Sequence, residues 1–210
     1  MNRKGLVITG IGTDVGKTVV SAIVVQALGM DYWKPVQAGD LYNSDTKKVR
    51  KLTQGIDCLP ERYQLTTPAS PHHAANLDKL TISLNDFSIP SGNRPLLIEG
   101  AGGVLVPLNN QGLVFADLIE HWKLPVIVVS RHYLGSINHT LLTLEGLKSR
   151  KITVAGIVFV GDENSATESI ILLKTGVSFL ARIPIVDEVS PEFIQEQAQR
   201  IAPTLKVFFS

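Results

Sequence analysis

Two lysines and a run of glycines offer the clearest chemistry in this chain. The segment GIGTDVGKT, Gly10–Thr18, sets Gly10, Gly12 and Gly16 around Thr13 and Asp14 and ends in Lys17 and Thr18. Glycines let successive backbone N–H groups turn toward one oxyanion, the lysine adds a mobile positive charge, and the hydroxyl is a hard donor suited to Mg²⁺. Such a loop grips phosphates. The strict pattern GxxxxGK[ST] wants glycine at position 11, where Ile11 stands, so this is a variant phosphate loop. The second lysine, Lys34, precedes Pro35, which confines it to extended backbone and aims its side chain off a strand end. Asp45 and Glu99 are the matching carboxylates. With Thr18 they supply one hydroxyl and two carboxylates, a sufficient protein share for Mg²⁺. Glu99 ends an apolar run, where a carboxylate is costly unless it meets a cation or water. Asp45 also suits the first turn of a helix capped by Ser44. Gly100–Gly103 permits close backbone approach to a ligand, or is a plain turn. Gly135–Asn138 opens a helix whose N-terminus suits an anion, or is a capping turn.

These residues need a rigid frame, and the pattern of apolar runs supplies one. Val- and Ile-rich runs without alternation recur at Leu6–Thr9, Leu96–Glu99, Val126–Ser130, Val154–Val160 and Phe179–Ile183, as in strands buried on both faces. Helical patterns lie between them at Lys17–Leu28, Ser44–Thr53, Phe115–Trp122, Ile137–Lys148, Ala166–Lys174 and Pro191–Ala202. Alternation of this kind predicts right-handed βαβ units: an α/β fold, a mostly parallel sheet with helices on both faces. Gln54–Arg94 breaks the rhythm with several prolines and is expected to be an extended loop region with short helical turns.

The chain has 210 residues, which at ~150 per domain favours one domain spanning 1–210. Twenty Lys and Arg against 19 Asp and Glu leave a net charge of +1, which gives no electrostatic case for a nucleic-acid or membrane-surface partner. The single cysteine, Cys58, rules out an internal disulfide framework and any multi-cysteine metal site. No apolar run approaches the ~18 residues of a membrane span, so a cytoplasmic protein is expected. The five histidines, His72, His73, His121, His132 and His139, show no metal-binding spacing.

The variant loop, similar to GTDTxVGKT, is followed in order by WKPVQAG (Trp33–Gly39), NSD (Asn43–Asp45), PASPH (Pro68–His72), IEGAGG (Ile98–Gly103), FAD (Phe115–Asp117), LPVIVV (Leu124–Val129) and LGSINHTLLT (Leu134–Thr143). In this order and register, from Leu6 to about Ile185, the chain resembles the dethiobiotin synthetase family. The resemblance implies a P-loop NTPase-like fold and ATP-dependent closure of a cyclic urea from 7,8-diaminononanoate and CO₂, with ADP and phosphate released. It implies a carbamate, then a carbamic-phosphoric anhydride, with Lys17 and Lys34 as the catalytic cations. Thr13, Asp14, Val15, Gly16, Lys17, Thr18, Val19, Asp45, Glu99, Gly100, Ala101, Gly102 and Pro184 would surround the nucleotide, and Thr18, Asp45 and Glu99 would hold Mg²⁺. The diamine would meet Thr13, Lys34, Ala38 and, from the partner of a homodimer, Gly135, Ser136, Ile137 and Asn138, giving composite sites. The sequence departs from the family at Ala38, where a serine or threonine is frequent, and at Val160, where an asparagine often reads adenine; Asn164 is a candidate substitute. A competing reading is an ATPase switch of the partitioning type. Such switches usually carry an extra lysine early in the loop, where this chain has Ile11 and Gly12.

Overall fold

The computed structural model describes residues 3–207. Five of its strands grow from the apolar runs: β1 (Gly5–Gly10), β6 (Leu96–Gly103), β7 (Val126–Arg131), β8 (Val154–Val160) and β9 (Phe179–Ile183). Two short strands, β2 (Asp31–Trp33) and β4 (Cys58–Leu59), complete a seven-stranded sheet in the order β4-β2-β6-β1-β7-β8-β9, with every neighbouring pair parallel. β1 lies mid-sheet and all six of its residues are buried, as its unbroken apolar run requires.

Around the sheet lie α1 (Lys17–Leu28), α2 (Asp45–Leu52), α4 (Phe115–Trp122), α5 (Ser136–Ser149), α6 (Ser165–Thr175) and α7 (Pro191–Lys206). α1 packs on α2 and α7. Strand alternation puts Trp33 on the face opposite Tyr32, and Trp33 meets Trp122 of α4 at 6.0 Å between ring centroids. Helices therefore cover both faces. Among the described residues no helix is long and apolar enough to cross a membrane.

The structure corrects two expectations. Gln54–Arg94 holds the short helical turns expected, α3 (Pro71–Leu77) and a 3-10 turn at Leu84–Asp86, but it is not otherwise an irregular loop, for it carries β4 and β5 (Tyr63–Leu65). β5 pairs in parallel with β3 (Val36–Ala38), forming a separate two-stranded sheet beyond Pro35. Pro35 interrupts the strand but keeps its carbonyl, which accepts the N–H groups of Arg62 and Tyr63 at 2.9 and 3.0 Å. Glu99 does not end its strand either, because β6 runs on through the glycines to Gly103.

Candidate active site

The site forms where the carboxyl ends of β1, β2 and β6 meet the start of α1, which is where ligands bind in open α/β sheets. Gly16 sits at φ 94° as the N-cap of α1, and a Cβ there would lie 3.3 Å from both methyl carbons of Val160. Only glycine fits both the left-handed backbone and the close approach. Lys17 Nζ folds back to donate to the Gly12 carbonyl at 2.7 Å. Burial, then the nearby charge of Lys34, pulls the Lys17 ammonium down to about 8.

Lys34 is 5% exposed, and its ammonium lies between two carboxylates, Asp45 and Glu99 Oε1, the latter at 3.1 Å. Burial disfavours its charge, but Glu99 and Asp45 outweigh that and raise its pKa above the ordinary lysine value. Burial likewise opposes ionisation of Asp45; the charge and hydrogen bond of Lys34, with help from the charge of Lys48, outweigh it and hold Asp45 below the usual carboxylate range. Glu99 is fully buried and has three donors: Thr18 Oγ1 at 2.9 Å and Lys34 on Oε1, and the Tyr32 hydroxyl on Oε2 at 2.9 Å. The Tyr32 hydroxyl keeps its proton, since burial and then Glu99 push its pKa well up.

A cavity of about 720 Å³ gathers Thr13, Asp14, Gly16, Lys17, Thr18, Val19, Lys34, Ala38, Asp45, Glu99, Ala101 and Gly102. Its far wall comes from the minor sheet (Gln37), the loop before α3 (Pro68, Ala69, Ser70) and Pro71 at the start of α3. Gly39, at φ 71°, lets this wall close, since a Cβ would lie 2.5 Å from Pro68 Cα. A second hollow of about 140 Å³ shares Asp14, Gly16 and Val19 and is otherwise lined by Arg131 and the apolar residues Val20, Val160, Ile183, Pro184, Ile185, Val186, Val189 and Phe193. Its place beside the phosphate loop suits a nucleobase.

Other expected site residues are not among those lining this cavity. The Val15 side chain is buried in the core, at 2% exposure. Gly100 packs tightly, its Cβ position being 3.0 Å from the Phe115 ring and 3.2 Å from the Ile8 carbonyl oxygen, so it spaces β6 rather than lining the cavity. Gly135, Ser136, Ile137 and Asn138 form the N-terminus of α5 and do not line the cavity of their own subunit. Asn164 is not free to reach a base, because its Oδ1 caps α6 by accepting the Thr167 N–H at 3.0 Å.

Two contributors went unnoticed in the sequence. Tyr32 is one. Gln37 is the other: its Oε1 accepts the Asp45 N–H at 3.2 Å while its Nε2 donates to the Gly39 carbonyl at 2.9 Å, tying the start of α2 to the end of β3. The donor set of Thr18, Asp45 and Glu99 is all hard oxygen and carries two negative charges, which suits Mg²⁺. Among the described residues there is no group of three or more His, Cys, Asp and Glu that could hold a metal by itself. Phosphate and water oxygens would have to complete the shell.

Comparison with known proteins fits this geometry. The model of a family described as an AAA domain matches residues 4–193. The ATP-dependent dethiobiotin synthetase BioD of Christiangramia forsetii is 50% identical over 207 residues, covering 96% of this chain and 98% of that protein. The BioD of Brucella ovis is 47% identical over 202 residues, 95% of this chain and 94% of that one. Among solved structures, a plasmid partition protein from Borrelia burgdorferi superposes with a TM-score of 0.62 at 11% identity, covering 99% of this chain and all of that one. MinD in its complex with MinC from Aquifex aeolicus gives 0.58 at 14%, covering 98% and 95%. At such low identity those likenesses speak for the P-loop fold alone. The near-full-length identity, together with a lysine held between two carboxylates beside a variant phosphate loop, decides the matter: the chain belongs to the family of ATP-dependent dethiobiotin synthetases.

Proposed function

We propose that the protein converts 7,8-diaminononanoate, CO₂ and ATP to dethiobiotin, ADP and phosphate. The observation that carries this is Lys34: a buried ammonium, bracketed by Asp45 and Glu99, on the wall shared by the phosphate loop and the minor sheet. One amine of the substrate adds to CO₂ and loses a proton, giving a carbamate. A carbamate oxygen then attacks the γ-phosphorus and ADP leaves. The second amine attacks the resulting mixed anhydride at carbon, loses a proton and expels phosphate, closing the ring. No protein nucleophile is needed, so catalysis rests on positioning and on cations facing developing negative charge.

In this scheme Lys17 leaves the Gly12 carbonyl for the phosphates, and Lys34 stabilises the carbamate and the transferring phosphoryl group. Thr18, Asp45 and Glu99 would hold Mg²⁺, which when bound offsets phosphate charge. Domain 1–210 acts as one unit, and the cytoplasm is the compartment proposed for it. We further assign a homodimer with composite sites. Leu134 is fully exposed, with Tyr133, Ile137 and Leu142 also open beside the α5 N-terminus, an apolar patch that a second subunit would cover. Gly135–Asn138 would thereby reach the partner's cavity, where the helix N-terminus suits the diamine's carboxylate.

The test is mass-spectrometric detection of dethiobiotin from purified protein, ATP, Mg²⁺, bicarbonate and 7,8-diaminononanoate. Product that requires all of these is the expected result. ATP hydrolysis indifferent to the diamine, with no cyclic urea formed, would favour a nucleotide switch instead.

A further inference from the structure

Glu99 is the one carboxylate of the site without solvent exposure, and its two oxygens have different surroundings. Oε1 takes the Thr18 hydroxyl and the Lys34 ammonium, both of which line the large cavity. Oε2 takes a single donor, the hydroxyl of Tyr32, which is itself wholly buried. Sheet register explains the meeting. Tyr32 pairs with Leu97 across β2 and β6, and Glu99 lies two residues beyond Leu97, so Tyr32 and Glu99 share one face. Lys34, two residues beyond Tyr32, reaches the same carboxylate.

We propose that Tyr32 is a positioning residue that fixes the Glu99 carboxylate so that Oε1 alone is presented to the bound cation. A carboxylate in a fully buried strand can rotate about its last bond unless both oxygens are engaged, and a neutral O–H donor engages one without competing for the metal's charge. Phenylalanine would fill the same volume and leave Oε2 without a partner. The inference rests on Glu99 being a metal donor, and the experiment separates the two claims.

Mn²⁺ binding, followed by the resonance of free Mn²⁺, is measured on the full-length protein with a non-hydrolysable ATP analogue present. The proteins compared are the parent, Tyr32→Phe, Glu99→Gln and the double variant. Binding of the analogue in EDTA and near-ultraviolet circular dichroism serve as metal-free readouts. Tyr32→Phe is expected to weaken Mn²⁺ binding by roughly tenfold, in the range of outer-shell substitutions. Metal-free analogue binding and the dichroism spectrum should remain parental, and Tyr32→Phe should add nothing in the Glu99→Gln background. If Glu99→Gln weakens Mn²⁺ binding but Tyr32→Phe stays within twofold of the parent, the positioning role is overturned while the metal assignment stands. If neither changes it, the assignment of Glu99 falls and the inference with it. Equal loss of analogue binding with and without metal makes Tyr32 merely structural and also overturns the proposal. Should Tyr32→Phe not fold, 3-fluorotyrosine at position 32 alone keeps the shape and strengthens the donor; an unchanged Mn²⁺ affinity there counts against the role.

Discussion

Replacing Lys34 by methionine keeps the length of the side chain and removes its charge. Two carboxylates then share the site without their cation, one of them fully buried and the other 20% exposed at its side chain. Breaking a buried pair from one side costs about 3–5 kcal/mol. Thr18 and Tyr32 still donate to Glu99 and water reaches Asp45, so the lower end, about 3 kcal/mol, is expected. For a chain of this size that lowers Tm by roughly 6–12 °C. Mg²⁺ should stabilise the variant more than the parent, since Glu99 has lost its ammonium and Asp45 keeps only Lys48, 3.8 Å away. The raised pKa of Lys34 contributes stability below its unfolded value and is lost as pH rises through the folded one. The depressed pKa of Asp45 contributes above its unfolded value and is lost as pH falls through the folded one. Both contributions are present near neutrality, so the gap in Tm between parent and variant should be widest there and shrink toward acid and alkali. Differential scanning fluorimetry with and without Mg²⁺ measures this, and product formation should fall on the order of 10²-fold or more with ATP affinity little changed. A Tm within 2 °C of the parent together with parental turnover would refute the placement of Lys34 at the reacting centre.

Lys17→Ala should abolish product formation, since phosphate binding and charge stabilisation are both lost; persistent turnover would exclude the loop from catalysis. Because free Lys17 titrates at about 8 and a triphosphate favours its charged form, nucleotide binding should take up a proton above that pH and weaken as pH rises; calorimetry in buffers of different ionisation enthalpy reads the uptake. Mixing inactive Lys17→Ala and Asn138→Ala subunits should restore some activity, and demonstrated subunit exchange without recovery would remove the composite site. The hollow beside the loop presents Val160 and other apolar side chains to a base, while Asn164 is committed to capping α6. GTP or CTP should therefore support kcat/KM within roughly tenfold of ATP, each lost hydrogen bond being worth about 0.5–1.5 kcal/mol. A gap above a thousandfold in steady-state assays would show that backbone groups read adenine.

The long buried strands were legible because their apolar runs carry the signal themselves. β8 and β9 span the expected residues, Val154–Val160 and Phe179–Ile183, and the GKT at the start of α1 marked that helix. The strand expected to end at Lys34 is there as β2, Asp31–Trp33, but β3 through β5 were not legible, for each is two or three residues long and owes its pairing to distant partners. α3 did leave a trace, Ser70 at the N-cap followed by Pro71 at the first helical position, a start signal hidden among prolines that otherwise read as breaks. Lys34, Asp45 and Glu99 were found by residue type and motif. Tyr32 could not be, because only the register of β2 against β6 reveals what its hydroxyl meets.

The walls of the large cavity have separate origins. Lys17, Thr18 and Glu99 stand on the central sheet and the helix that follows β1, whereas Ala38 stands on the minor sheet and Pro68 to Pro71 on the loop leading into α3 and its first residue. In the proposed scheme the phosphates meet only the central sheet and its loop, whereas the acceptor would also meet the minor sheet beyond Pro35. Mutations accumulating in the minor sheet could reshape which acceptor is accommodated without disturbing phosphate chemistry. On that scheme the acceptor side would be freer to vary than the phosphate side, and Ala38 is the position on its wall where a substitution would show this first.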